Sequence, residues 1–124
     1  MNIKFLVGVS ILLIATWSFH NPAPRESGIE GQVLMGPMCP AAQQGQGCPD
    51  QPHQATLTVN SRIGETIVQF QTDGGGHFRI PLAPGEYILH PQSPNGMPFA
   101  VDQLFVVGTG QYTQIVVNFD SGIR

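Results

Sequence analysis

The chain has 124 residues, enough for one domain. Only 10% of them are charged, and 15 Gly with 11 Pro are too many turn formers for a helical bundle, while an apolar share of 41% argues against disorder. Five basic against eight acidic residues leave a formal net charge of −3.

The first segment, MNIKFLVGVSILLIATWSFH, is set apart from the rest. Lys4 supplies a positive start, and Phe5 to Trp17 is an uncharged apolar run. Its length suits the core of a signal peptide and falls short of the ~20 residues of a membrane span. Thr16 and Ser18 offer small residues at the spacing a signal peptidase reads, but Trp17 and Phe19 are poor neighbours for cleavage. Residues 1–20 are therefore expected to be a leader helix, either a signal peptide or an uncleaved N-terminal anchor; a buried core helix is the remaining alternative. Residues 21–27 read as a linker. Both leading readings place the domain outside the cytoplasm, secreted or periplasmic, touching a membrane only through an uncleaved leader.

Lys4 is the one lysine of the chain. Past the leader only the scattered Arg25, Arg62, Arg79 and Arg124 are basic, so the electrostatic footprint of a nucleic-acid binder is missing.

From Gly28 to Met35, GIEGQVLM reads as a first strand, ended by Gly36-Pro37. A loop rich in Gln, Gly and Pro follows, from Pro37 to Gln54, and it holds both cysteines. In an exported chain Cys39 and Cys48 favour a disulfide. The rival is a soft-metal site built from the two thiolates with Met38 or His53, but metal-binding cysteines are usually spaced more tightly. ATLTV (Ala55 to Val59) and ETIVQFQT (Glu65 to Thr72) alternate with the period of two expected of half-buried strands, and NSRIG turns the chain between them.

TDGGGHFRIPLAPGEYILHP, Thr72 to Pro91, reads as scaffold. Asp73-Gly74 is a hairpin signal, with Gly75 and Gly76 lengthening the turn. Phe78, Ile80 and Leu82 share one face of the return strand, and Pro81 places that strand at an edge. Pro84-Gly85 fits the centre of a type II turn, which leads into a strand carrying Tyr87 and Leu89 on one face. The glycines are no phosphate cradle, because neither a Lys nor a helix follows them. After the loop Pro91 to Pro98, two strands from Val101 and Gln111 flank a tight hairpin, GTGQ. The sum is an all-β, seven-stranded sandwich over 28–120 with a short tail, 121–124.

The pattern of GIEGQVLM, Thr72 to Phe78 and Leu82 to Tyr87 resembles the carboxypeptidase regulatory-like domains of the transthyretin-like (prealbumin-like) superfamily, in their small exported bacterial form. Such domains carry a G-x-V strand, a T-D-x-x-G-x-F hairpin and an L-x-P-G-x-Y strand. Here the glycine before Phe78 is displaced by one residue. The resemblance implies a Greek-key sandwich used as an accessory or binding module. The hydrolase branch of that superfamily ends in Tyr-Arg-Gly-Ser, whereas this chain ends FDSGIR.

The candidate chemistry is sparse. His20, His53, His77 and His90 lack the H-x-H or H-E-x-x-H spacing of a metal site and read as loop or hairpin residues. No G-x-S-x-G elbow exists. No catalytic, metal or cofactor residue is assigned, and no cofactor is expected. Asp73, Gly74, Phe78, Pro84, Gly85 and Tyr87 form the structural motif, with the Tyr87 hydroxyl bonded locally at a sandwich corner. Met97 and Phe99, flanking a Pro-rich loop, are the candidate ligand residues. The expected function is an exported, non-enzymatic interaction or structural module whose partner is a protein or glycan at the cell surface. A carbohydrate-binding module is the alternative, and a small hydrolase or metal-dependent enzyme the second.

One prediction follows from the cysteines. Thiol titration of native protein will find none free without reductant, and two after reduction and unfolding. On the chain-entropy model, opening so short a loop lowers the free energy of unfolding by about 2.5–3 kcal/mol, measurable by urea titration of the Cys39→Ser/Cys48→Ser variant.

Overall fold

The computed structural model describes residues 25–41 and 48–124, so the leader falls outside the described residues. Among the described residues there are eight strands: β1 (Gly28–Gly36), β2 (Gln51–Pro52), β3 (Thr56–Ser61), β4 (Thr66–Gln71), β5 (His77–Pro81), β6 (Gly85–Pro91), β7 (Gln103–Val107) and β8 (Tyr112–Asp120). The expected seven are present, and the two-residue β2 lies within the span read as pure loop.

The strands form two sheets that stack as a sandwich. In the first, β1 is central. It runs parallel to β8 along one side, from Gly28↔Tyr112 to Gly36↔Asp120. On its other side β5 and β2 lie end to end, antiparallel to it. The second sheet has the order β4-β3-β6-β7, with every neighbour antiparallel. Proline at the end of β5 is tolerated because β5 is an edge strand, hydrogen-bonded to β1 alone.

Alternation along each strand seals the interior. Ile29 and Val33 of β1, Leu57 and Val59 of β3, Leu89 of β6, Val107 of β7 and Val117 of β8 are the largest fully buried side chains. Each contributes roughly 1.5–3 kcal/mol by leaving water. Phe70 and Phe78 meet across the sheets, ring centroids 5.6 Å apart. Tyr87 stacks on Phe105 at 5.5 Å. The two fully buried threonines are satisfied: Thr72 Oγ1 accepts from the Ala55 amide at 2.9 Å, and Thr58 Oγ1 accepts from Gln92 at 2.9 Å and Gln69 at 3.3 Å.

The turn-rich stretch departs from its sequence reading. Asp73-Gly74 does not close a hairpin, because β4 and β5 belong to different sheets. The segment is an arch between layers. Asp73 Oδ1 accepts from the amides of Gly75 and His77, at 3.0 and 2.8 Å. The positive φ falls on Gly76 (+78°), where a Cβ would sit 2.4 Å from the Val33 carbonyl oxygen. Pro84-Gly85 is not a type II turn either: Gly85 has φ +157° and is already the first residue of β6. GTGQ likewise carries the chain from β7 in one sheet to β8 in the other. The short hairpin within a sheet is Ser61–Glu65, between β3 and β4, where the Ser61 amide donates to the Glu65 carbonyl at 2.8 Å.

Gly31, the glycine of the G-x-V motif, sits opposite Ile115 of β8 with no room for a side chain. A Cβ there would lie 1.7 Å from the Ile115 carbonyl oxygen. Gly31→Ala is expected to lower stability by about 1–3 kcal/mol or more, through forced separation of the two strands. Gly74→Ala, with no neighbour within 4 Å of the added methyl, is the matched control and should shift the urea midpoint little.

Candidate functional site

The best-formed cleft lies at one end of the sandwich and encloses about 250 Å³. The segment entering β3 (His53, Gln54, Ala55, Thr56) forms one wall, with Gln71 at the end of β4. The loop after β6 forms the other, through Gln92, Pro94, Asn95, Met97 and Pro98, and Phe119 of β8 completes the lining.

Backbone pairing fixes both walls. The His53 amide donates to the Val33 carbonyl at 3.0 Å, which docks the entry segment on β1. Phe99 and Asp120 exchange amide–carbonyl hydrogen bonds of 3.0 and 2.7 Å, which tie the loop to the end of β8. Within the loop the Gly96 amide donates to the Ser93 carbonyl at 3.0 Å, and Gly96 adopts φ +83°. Met97 packs against Gly122. The His53 ring meets Phe119 edge to face, centroids 4.9 Å apart. Burial there pushes the imidazole below its usual range, so His53 is held neutral.

The lining carries four carboxamides and no carboxylate, ammonium or guanidinium. Gln54 donates to the Thr72 carbonyl at 3.2 Å and Gln92 to Thr58, so each keeps its amide oxygen free. Gln71 and Asn95 make no side-chain hydrogen bond among the described residues. A carboxamide both donates and accepts. Such a cleft can hold a neutral polar ligand.

The sequence-derived residues fall in several places. Cys39 and Cys48 form a disulfide, Cα atoms 5.9 Å apart, away from the cleft. Asp73, Gly74 and Phe78 build the β4–β5 arch. Pro84, Gly85 and Tyr87 build the β5–β6 corner, where the Tyr87 hydroxyl donates to the Ala83 carbonyl at 2.6 Å. Met97 lines the cleft; Phe99 stands beside it in the β8 bridge, 46% exposed.

Sequence reasoning missed Gln54, Gln71, Gln92, Asn95 and Phe119, and named His53 only as a loop residue or a ligand beside the cysteines; their convergence from four segments leaves no local spacing to read. It also missed the His90–Asp102 contact, 2.7 Å between Nδ1 and Oδ1. The register Leu89↔Gln103 places those two side by side on the exposed face of β6 and β7. Among the described residues no three His, Cys, Asp or Glu side chains are grouped to hold a metal ion, and no helix is long and apolar enough to cross a membrane.

No family model matches the chain, and no curated protein matches it. Solved structures share its fold, among them the two that follow. The minor pilin GBS52 of the Gram-positive pathogen Streptococcus agalactiae superposes with a TM-score of 0.60 and 12% identity, over 82% of this chain and 47% of the pilin. The Bacillus anthracis TIE protein gives a TM-score of 0.51 and 22% identity, over 77% of this chain and 18% of that one. This chain therefore spans less than half the length of either, and at these identities the likeness establishes a β-sandwich fold.

The pH dependence of His53 is testable. The unfolded chain takes up the proton near the ordinary imidazole value of about 6.5, the folded chain only at lower pH. The stabilisation is complete above that ordinary value and is lost as pH falls through it. Between pH 7.5 and 5.5 the melting temperature should fall, and should fall less in His53→Gln.

Proposed function

We propose that this chain is an exported, non-enzymatic β-sandwich module that serves as an interaction or structural accessory domain at the cell envelope. The observation that carries the reading is the chemistry of its best-formed cleft, which is rich in hydrogen-bonding carboxamides and lined by no carboxylate, ammonium or guanidinium. Such a lining suits holding a neutral ligand. The disulfide supports an oxidising compartment, and the apolar leader supports export. The sandwich that the chain shares with a minor pilin is consistent with a place at the surface.

A specific observation favours a second reading, a carbohydrate-binding module. Vicinal hydroxyls of a neutral sugar match carboxamides, and the rings of Phe119 and His53 with Met97 offer an apolar flank. The volume is below the ~300–1,000 Å³ of sites that enclose drug-sized ligands, and suits one sugar ring at a time.

Protease applied to intact producing cells, and to the same cells after any outer membrane has been permeabilised, tests the first reading. Digestion of the full chain in at least one of the two, while a cytoplasmic marker survives, is expected; complete protection in both overturns export. A neutral-glycan array with calorimetry tests the second. Gln71→Ala or Asn95→Ala should weaken a genuine hit about 2–10-fold, the equivalent of one hydrogen bond. An array without hits removes the sugar reading and leaves the first standing.

A further inference from the structure

An asparagine is open to one reaction with its own backbone, attack of the next residue's amide nitrogen on the side-chain carbonyl carbon. The chain has Asn2, Asn21, Asn60, Asn95 and Asn118. Asn2 and Asn21 lie outside the described residues; Ile3 crowds the nitrogen after the first, and the proline after the second has no N–H to give up. Asn60 and Asn118 are held extended by strand pairing in β3 and β8, and the side chains of Ser61 and Phe119 crowd the nitrogens that would attack. Asn95 differs on every count. It is exposed in the loop after β6, Gly96 follows it, and its carboxamide makes no hydrogen bond among the described residues. Nothing lies within 4 Å of where a Gly96 Cβ would sit, so the space beside the nitrogen is open. One hydrogen bond closes the turn, from the Gly96 amide to the Ser93 carbonyl at 3.0 Å, and the buried Ser93 hydroxyl adds none. That bond must open before the nitrogen attacks, and its net worth slows the reaction only about 2–10-fold.

We propose that Asn95 is a self-modification site, at which the loop converts a carboxamide of the cleft into a carboxylate without an enzyme. The Gly96 nitrogen gives its proton to hydroxide and bonds to Cγ of Asn95. The Cγ–Nδ2 bond breaks, and ammonia leaves with a proton from water. Water then opens the cyclic imide. Cleavage of the new N–Cγ bond gives aspartate; cleavage of the original peptide bond gives isoaspartate, with the chain running through Cγ. Water enters and ammonia departs, and nothing is oxidised or reduced. Asn95 lines the cleft, so either product puts the first carboxylate into that lining. A carboxylate accepts hydrogen bonds but donates none, whereas the carboxamide did both. The cleft thus passes from neutral to anionic as the protein ages. Isoaspartate also lengthens the backbone by one methylene within a span pinned at both ends, by the Gln92 amide on the Thr56 carbonyl and by the Phe99–Asp120 exchange. Met97, packed against Gly122, lies inside that span. The inference concerns the lining itself and holds whichever ligand the cleft takes.

Peptide mapping of the folded full chain during weeks at 37 °C and pH 8 tests the inference, with the same chain unfolded in urea run alongside. The peptide holding Asn95 should gain the mass that OH in place of NH2 brings, in aspartyl and isoaspartyl forms. It should do so at least ten-fold faster than the peptides holding Asn60 and Asn118, and at a rate proportional to hydroxide. Folding should slow Asn95 only about 2–10-fold, the worth of one turn hydrogen bond, and should slow Asn60 and Asn118 far more. Gly96→Ala should slow the reaction at least ten-fold by crowding the nitrogen. Asn95→Gln, which leaves the turn backbone unchanged, should show no conversion at that position over the same time, because its longer side chain closes a larger ring. The inference is overturned if Asn95 stays intact in the folded chain, if folding protects it as strongly as Asn60 and Asn118, if aspartate forms without isoaspartate, or if either variant converts as fast as the parent.

Discussion

The pairing of β1 with β8 is the constraint on which the rest of the molecule hangs. β1 is the sole strand to which β2, β5 and β8 are all hydrogen-bonded. Its partner β8 comes from the other end of the chain and runs parallel along the whole of β1. The first sheet therefore cannot be completed until nearly all of the domain has been laid down. The close approach at Gly31 is what lets the two backbones meet, and it explains a glycine in the middle of a strand, where that residue ordinarily costs stability. The pairing also places Phe119 and Asp120 at the cleft end. Phe119 lines the cleft, and Asp120 anchors the loop opposite through its backbone. Non-local pairing of this kind carries a high loop-closure cost, which makes such topologies slow to fold.

Much of the fold was legible because strand alternation is a local signal. The faces assigned to Phe78 and Ile80 and to Tyr87 and Leu89 are those that point to the core. The turns were legible in position but not in kind. Asp73 to Gly76 and the segment after β7 were read as closing hairpins and Pro84-Gly85 as a type II turn, and all three carry the chain from one sheet to the other. Glycine and proline announce that the backbone reverses. They do not announce whether the next strand pairs with the last one or stacks over it, because that is decided by which buried rows fit together. The parallel β1–β8 register was illegible for the same reason: nothing local links Gly28 to Tyr112.

The cleft was less legible than the fold. Met97 stood out because apolar residues in a Pro-rich loop are conspicuous. The carboxamides did not, since Gln is common throughout the exposed parts of this chain and only convergence gives four of the amides a shared meaning. His53 is the clearest case. In sequence it is one residue of a Gln/Pro loop; in the structure its backbone is pinned to β1 and its ring to Phe119. Burial of the imidazole is a tertiary effect that no spacing rule contains.

Charge is disposed so as to leave the cleft lining without an ionised side chain. Arg62 pairs with Glu86, Arg79 with Glu30 and Arg124 with Asp120, all on exposed faces. Such surface pairs are each worth about 0–1 kcal/mol, too little to hold the fold together. Their larger consequence is local cancellation. Arg79 lies over the Tyr112 ring, Tyr112 donates to Glu26, and Gln114 donates to Glu30, so the outer face of the first sheet binds its charges to one another. The Arg124 guanidinium, with the Gly122 amide, holds the Asp120 carboxyl below its usual range. The cleft lining is left with amides, hydroxyls and hydrocarbon. Recognition there must come from shape, hydrogen bonding and the removal of apolar surface from water, and such recognition is comparatively insensitive to salt, because screening acts on charges.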